Sequence, residues 1–432
     1  MNVLYLATRA PYGRMHGHKM GIRTYINALK GAGHNVTLVA FQIPGDTALP
    51  EDLGVETHYL TLPSKSSILW RLLTKAVPGA LSLNECLYLD EKANTRIQEI
   101  VADKSIDLIV ADMIRTASYA HRSGRPWILD HEDLLSERYE LWASRSTGDE
   151  NILGYLEGAI PAFARPLAKA VFRMVLGRES RILDRRELYW TDRAGASSLR
   201  SLEETERLAA RTKRRVFCMP VTVPVPDQPV SATLTNRPMT AVFTGGLTYQ
   251  PNLDGLRAYV ERIIPEFERQ GVELPVLNVI GAAPDNLRLP LEHPSIKFLG
   301  YVPDINEELA RTQVFFAPIV SGTGIKTKVL EALACGLPLI ALPAGLTGLQ
   351  GEHGTHFLRA EDPADFVRQY VRVRDDSELA RSLGEHGRKL AIASYSIDAA
   401  TKIVSREIDA IKNVPFGPDG RKLSAKPTSM AA

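Results

Sequence analysis

Ala317-Pro-Ile-Val-Ser-Gly-Thr-Gly-Ile-Lys-Thr-Lys-Val-Leu-Glu-Ala-Leu-Ala-Cys-Gly-Leu-Pro338 is the stretch from which the rest of the chain is read. An apolar run ends at Pro318, and Gly322 and Gly324 leave the backbone free to approach a ligand. A helix is predicted from Ile325 or Lys326, with its unpaired amides and positive dipole end facing the glycine loop, which suits a phosphate. Lys326 and Lys328 add full charge at the same place, and Glu331, a turn or so along, is positioned to accept hydrogen bonds from ribose hydroxyls. Gly336 ends the helix and Pro338 returns the chain to the sheet. A strand, loop and helix with surface lysines is the plainer reading, and it would hold for a short glycine loop alone. The whole string favours a diphosphate and ribose site.

The segments around this stretch repeat its pattern. Upstream, 240–244 reads as a strand, Gly245-Gly246 as a turn, 252–268 as mostly helical and 276–280 as a strand closed by Gly281. Further strands are predicted at 296–299, 314–317 and 338–341. The first half opens in the same way: a buried strand at 3–7, a loop bearing Gly13, Gly17 and Gly21, a helix over 22–30 and a strand at 35–41. Strands at 106–111 and 126–130 follow, and 216–223 is the last before Pro224, Pro226 and Pro229 mark a linker. The domain plan is therefore 1–223, a linker at 224–238, a second domain at 239–395, a helix at 396–412 that returns to the first domain, and a polar disordered tail at 413–432. This is an α/β chain of two Rossmann-like, doubly wound domains facing across a cleft, with ligands expected at the carboxyl ends of the strands.

Composition agrees. A length of 432 residues suits two or three domains at roughly 150 residues each. A net charge of +2 marks no nucleic-acid partner. Cys86, Cys218 and Cys335 lie far apart without zinc or disulfide spacing, as in a reducing compartment. The N-terminal apolar run is too short for a signal peptide or a span, so a cytoplasmic protein is expected. Over 160–176, apolar residues at helical spacing alternate with Arg165, Lys169 and Arg173. That stretch reads either as a helix packed on its own domain, the commoner case, or as a peripheral contact with an anionic membrane at the inner face of the plasma membrane.

The 317–338 string resembles the donor-site region of retaining GT-B glycosyltransferases of the large family four type, most closely their bacterial exopolysaccharide and lipopolysaccharide branch. Members of the wider family carry two glutamates here; Glu331 matches the second, and Thr323 occupies the place of the first. Thr244-Gly-Gly-Leu-Thr-Tyr-Gln-Pro-Asn252 resembles the branch's loop of a glycine pair followed by Tyr-x-Pro-Asn, which implies donor-binding roles for Gly245, Gly246, Tyr249 and Asn252. Physically, Asn252 can also cap the following helix. The basic residues that many relatives place after this strand are missing, which leaves Lys326 as the counter-charge. Gly300-Tyr-Val-Pro-Asp304 resembles the nucleobase segment and implicates Tyr301. In the first domain, 11–25 resembles the loop that closes on donor and acceptor, with Gly17, Lys19 and Arg23 the best matches, and 112–119 resembles the same branch. At the end of the 126–130 strand, Asp130, His131, Glu132 and Asp133 crowd the place where relatives keep a catalytic His or Asp; Asp130, His131 and Asp133 are taken as candidates beside Lys326. Donor contacts are assigned to Gly322, Thr323, Gly324, Ile325, Lys326, Lys328 and Glu331.

The resemblance implies transfer of a sugar from a UDP- or GDP-sugar to a glycan or lipid-linked acceptor with retention of configuration, in surface polysaccharide synthesis. A helix N-terminus and Lys326 can hold the diphosphate without Mg²⁺, and no Asp-x-Asp motif follows a strand, so neither metal nor cofactor is expected. The rivals are another GT-B enzyme, such as a nucleotide-sugar epimerase or a phosphorylase, and a non-catalytic scaffold.

Overall fold

The computed structural model describes residues 1–13, 17–43, 53–144, 165–229, 239–322 and 324–412, with 165–169, 306 and 412 described by backbone alone. Thr323, the linker residues 230–238, the stretch 160–164 and the tail 413–432 lie outside the described residues. The chain divides into two compact units, Met1–Met219 with Thr401–Ala432, and Pro220–Ala400.

The first unit is built on a seven-stranded sheet of β1 (Asn2–Ala7), β2 (Asn35–Gln42), β3 (Glu56–Thr61), β4 (Leu108–Asp112), β5 (Trp127–Glu132), β6 (Ala196–Leu199) and β7 (Arg215–Cys218), in the order β3-β2-β1-β4-β5-β6-β7. Every pairing is parallel. β1, β2 and β4 are buried on both faces, which is why they read as continuous apolar runs. β3 and β6 carry no such run: β3 is a polar, mostly exposed edge (ETHYLT), and β6 is buried but short and half serine (ASSL). Neither is anticipated from the sequence, for that reason. The strand expected over 216–223 ends at Cys218.

The second unit carries a six-stranded parallel sheet of β8 (Thr240–Thr244), β9 (Val276–Ile280), β10 (Ile296–Gly300), β11 (Val314–Ala317), β12 (Leu339–Ala341) and β13 (Leu358–Arg359), ordered β10-β9-β8-β11-β12-β13. Its core joins Phe243, Tyr259, Phe267, Phe316, Phe366 and Tyr370, all essentially inaccessible. The helix expected over 252–268 begins earlier, at Gln250, and is interrupted by a π turn, Tyr259–Ile263, before Ile264–Arg269. Pro265 lies in the first turn of that last segment; it has no N–H to donate, and the wider turn before it accommodates the missing bond.

The helix after β11 runs Thr327–Cys335 and ends on Gly336 in the left-handed conformation (φ 80°), a glycine C-cap. Its position is set by the long helix Ser377–Tyr395, which crosses it so closely that a Cβ at Gly384 would lie 2.2 Å from the Gly336 carbonyl oxygen. Among the described residues no helix is long and apolar enough to cross a membrane.

Alanine normally improves a helix interior by roughly 0.5–1 kcal/mol over glycine, but at Gly384 the contact reverses the sign. Gly384→Ala is expected to lower stability by roughly 1–3 kcal/mol, read as a fall in the urea midpoint, and to disturb the Thr327–Cys335 helix with it.

Candidate functional site

In both sheets the chain winds outward to one side of the first strand and then returns to its other side. The carboxyl ends of β8 and β11 in one unit, and of β1 and β4 in the other, are the points of reversal where open α/β sheets bind ligands.

At the second unit's reversal, β8 runs into Gly245, whose φ of 139° and close neighbours exclude a side chain: a Cβ would lie 2.4 Å from Asn252 Nδ2 and 2.6 Å from Lys328 Nζ. Gly246 follows, and its carbonyl accepts from Asn252 Nδ2 at 2.9 Å. Asn252 does not cap the helix. Tyr249 stands at the N-cap without a side-chain bond, and Asn252 lies inside the first turn, where its Oδ1 accepts from Lys328 Nζ. Lys328 also lies 4.5 Å from the centre of the Phe243 ring, a cation–π contact. Asn252 and Lys328 thereby tie the Gly245-Gly246 turn to the Thr327–Cys335 helix.

The loop after β11 approaches from the other side. Gly322 and Gly324 both have positive φ (107° and 71°), and Lys326 Nζ donates to their carbonyls at 3.3 and 2.6 Å, holding the loop as a closed turn. Lys326 is also the N-cap, without a side-chain cap bond; the Val329 amide turns back to the Lys326 carbonyl (2.9 Å), and the amides of Thr327 and Lys328 have no partner among the described residues. Ile325 is half-buried beside Gly348. Burial pulls the Lys326 ammonium down to about 8 and that of Lys328 down to about 7. Burial raises the Glu331 carboxyl, with Lys328 opposing the shift, and Glu331 makes no hydrogen bond among the described residues. Tyr249 and Tyr301 are both well exposed at the ends of β8 and β10. This reversal point offers positive charge, helix amides and a partly buried carboxylate in need of donors, which are the groups that a diphosphate and a ribose require.

In the first unit the four crowded residues at the end of β5 separate clearly. Asp130 is fully buried and accepts from Arg200 Nη2 (2.6 Å), Ser198 Oγ (3.0 Å) and Tyr5 OH (3.1 Å), which makes it an anchor rather than a reachable catalytic group. His131 points to the opposite side of the strand against Thr191 Oγ1 (2.8 Å), and burial drops it to about 3, so it stays neutral. Asp133 pairs with Arg138 at 2.5 Å. Glu132 is the one turned toward the reversal point. Its φ is +66° and the register of β5 on β6 shifts beside it; Met113, just past β4, has φ +61°. Each left-handed non-glycine residue costs on the order of 1–3 kcal/mol and persists only where its surroundings impose it.

That strain brings together a cluster that the sequence reading leaves out. His18 Nε2 lies 2.9 Å from Asp112 Oδ1 and 3.3 Å from Glu132 Oε2. Asp112 is oriented by the Thr8 amide (2.7 Å) and hydroxyl (2.6 Å), both donating to Oδ2. Burial would lower the His18 imidazole, but Asp112 and Glu132 outweigh it and hold the ring above its ordinary value. Burial works against the Asp112 carboxylate too, yet His18 and Thr8 keep it below the usual range. Burial lifts Glu132 to about 7. The three ligand atoms lie within 4.8 Å of one another, close enough to share a proton or to hold a divalent ion. His18 and Glu132 retain some exposure. Gly17, Lys19 and Arg23 occupy the same helix, Gly17–Gly31; the two cations reach back to the carbonyls of Tyr12 (2.6 Å) and Pro11 (3.4 Å) and fasten the loop after β1.

Residues 238–376 match the family of group 1 glycosyl transferases. No curated protein matches the chain in sequence. Solved structures match in fold. HepE of Anabaena, in complex with UDP, superimposes with a TM-score of 0.60 at 13% identity over 95% of this chain and 100% of that one. Sucrose-phosphate synthase of Thermosynechococcus elongatus does so at 0.60 and 15%, over 95% and 99%. The lipopolysaccharide outer core galactosyltransferase WaaB, in its apo form, gives 0.59 and 13%, over 95% and 99%. The two parallel-sheet Rossmann-like units thus have the GT-B fold.

The depressed lysines couple this site to pH with two opposite signs. Between about 7 and the ordinary lysine range the unfolded chain binds more protons than the folded one, so the contribution of these groups to stability rises with pH. A bound diphosphate needs the ammonium forms back, so nucleotide affinity is expected to fall as pH rises from about 7 to about 9, by up to about tenfold per pH unit for each lysine that must regain a proton. Calorimetry of UDP and GDP binding in two buffers of different ionisation enthalpy reads the proton uptake directly, and Lys328→Met is expected to remove much of it.

Proposed function

We propose that the protein transfers a sugar from a nucleoside diphosphate sugar to an acceptor hydroxyl. The observation that carries this reading is the Glu331 carboxylate, partly buried and without a hydrogen-bond donor among the described residues, beside Lys326, Lys328 and the first amides of the Thr327–Cys335 helix. The matched family and the UDP in the HepE structure support the same assignment. The roles follow from chemistry. As the bond from the anomeric carbon to the diphosphate oxygen breaks, negative charge grows on the leaving group and positive charge on the sugar. The helix amides and the two lysines stabilise the first, and Glu331 fixes the ribose so that the diphosphate is held in register. Gly245 and Gly246 let the opposite loop approach the phosphates, and the exposed Tyr301 ring is the surface offered to the base.

We assign retention of configuration, independence from divalent metal, and an acceptor in bacterial surface polysaccharide synthesis, on the strength of the resemblance of 317–338 and 244–252 to the retaining bacterial branch. The cluster in the first unit favours a second reading of the stereochemistry. A His18–Asp112–Glu132 group that takes up the acceptor's proton would serve in-line attack on the anomeric carbon, which inverts configuration. Under retention the departing diphosphate can receive that proton, and the cluster then orients the acceptor hydroxyl. Proton NMR of the product's anomeric coupling separates the two outcomes.

A screen of UDP- and GDP-sugars by nucleotide release, with and without added glycan acceptors, tests the activity. Release that stays at background with every donor would overturn it. Product formed without any acceptor would indicate an epimerase. Turnover is expected to survive EDTA; loss reversed by Mn²⁺ would refute metal independence. Glu331→Ala and Lys326→Ala are each expected to weaken nucleotide binding by roughly 1.5–3 kcal/mol, the worth of a charge-assisted hydrogen bond. Glu132→Gln is expected to leave nucleotide affinity unchanged while lowering kcat.

A further inference from the structure

The long helix Arg165–Thr191 buries Leu176, Ile182, Leu183 and Trp190, yet leaves an apolar and basic stripe exposed. Its inward face carries acids: Glu179 accepts from the Leu83 amide at 2.7 Å and Glu187 from the Ser136 hydroxyl at 2.5 Å, both buried. Its outward stripe, at positions 171, 174, 178, 181 and 185, starts with Val171 and Met174 and continues as Arg178, Arg181 and Arg185. Met174 is 71% exposed. A second exposed apolar row meets it from the helix Lys65–Arg71 and the π turn Leu72–Ala76 that continues it: Leu69, Leu73 and Val77, each four residues from the next, with Trp70 beside them at 61% exposure. The Arg178 guanidinium donates to the Ala76 carbonyl (3.3 Å) and to that of Val77, which joins the two rows into one face.

We infer that this face of the first unit docks on the surface of an anionic lipid bilayer, with the apolar rows in the acyl boundary and the arginines among the headgroups. Charge selects that occupant. None of Arg178, Arg181 and Arg185 forms an ion pair with an acid among the described residues, and neither does Lys75 on the π turn. Of the acids beside them, Asp184 is engaged with Arg211 and Glu137 with Arg207, which leaves Glu140 as one exposed carboxylate among these cations. Exposed leucines, a tryptophan and a methionine flanked by unpaired cations bury apolar area and neutralise lipid phosphates in one step, and tryptophan is favoured at that depth. The stripe begins within the 160–176 stretch read from the sequence, of which only the side chains of 170–176 are described, and it extends past that stretch into the arginines and across to 69–77. The inference stands apart from the sugar-transfer reading.

Co-sedimentation of the full chain with vesicles of phosphatidylcholine, alone or with about one third phosphatidylglycerol, tests it. Binding is expected only to the anionic vesicles. It should fall on the order of tenfold in the pair Trp70→Ser with Met174→Ser and in the pair Arg181→Gln with Arg185→Gln, and it should weaken with salt in the wild type. All four positions are exposed, so unchanged thermal midpoints and unchanged UDP or GDP affinity confirm that the variants are folded and that the nucleotide site is separate. Absence of binding to either vesicle would overturn the inference, as would binding that both variant pairs retain. A concentration-dependent dimer abolished by Trp70→Ser with Met174→Ser would assign the face to a second copy of the chain instead.

Discussion

A parallel sheet that winds both ways from its first strand must leave one gap, because the crossover helices on the two sides diverge at the point of reversal. Both units obey that constraint, with β1 beside β4 in one and β8 beside β11 in the other. The residues at the gap are therefore held by the sheet and yet not covered by it. The same topology produces different chemistry in the two places. At β8 and β11 the gap is lined by glycine backbone, amides and lysines; at β1 and β4 it is lined by Thr8, Asp112 and, from the helix after β1, His18.

The two gaps also spend stability in different ways. In the second unit the expense is electrostatic: two ammonium groups held in a partly dry place, where burial disfavours their charge. In the first unit it is conformational, in two left-handed residues at adjacent strand ends that aim a carboxyl group at its partners. Beneath them the buried Asp130–Arg200 pair, with Tyr5 and Ser198 also donating to Asp130, anchors the end of β5. A buried pair of this kind adds little net stability, but removing one partner is strongly destabilising.

How much of this the sequence disclosed depends on the kind of signal. The apolar runs of β1, β2, β4, β8 and β11 were legible because burial on both faces favours apolar residues, whereas the edge strand β3 is mostly exposed and the short β6, though buried, is half serine. The glycine loop and the helix after β11 were legible because spacing along one segment sets their geometry. The end of β5 was not. Which of four consecutive polar residues faces the gap depends on a positive φ and a register shift, and neither has a signature in an Asp-His-Glu-Asp string. His18 was missed for a related reason: its partners lie 94 positions away and further, at strand ends. Its one local hint was a histidine in the glycine loop after the first strand.

The division of the chain into units has a consequence in time. Among the described residues, those from Thr401 to Lys412 belong with the first unit, where Glu407 takes Arg215 across a sequence separation of 192. The second unit is thus an insertion, continuous in sequence and complete in its contacts by Ala400, while the first is divided around it. On a ribosome, the segment before the second unit must wait for the helix that follows it. The second unit can reach its native state during synthesis, and the first unit closes only when the helix Ile397–Lys412 has left the tunnel.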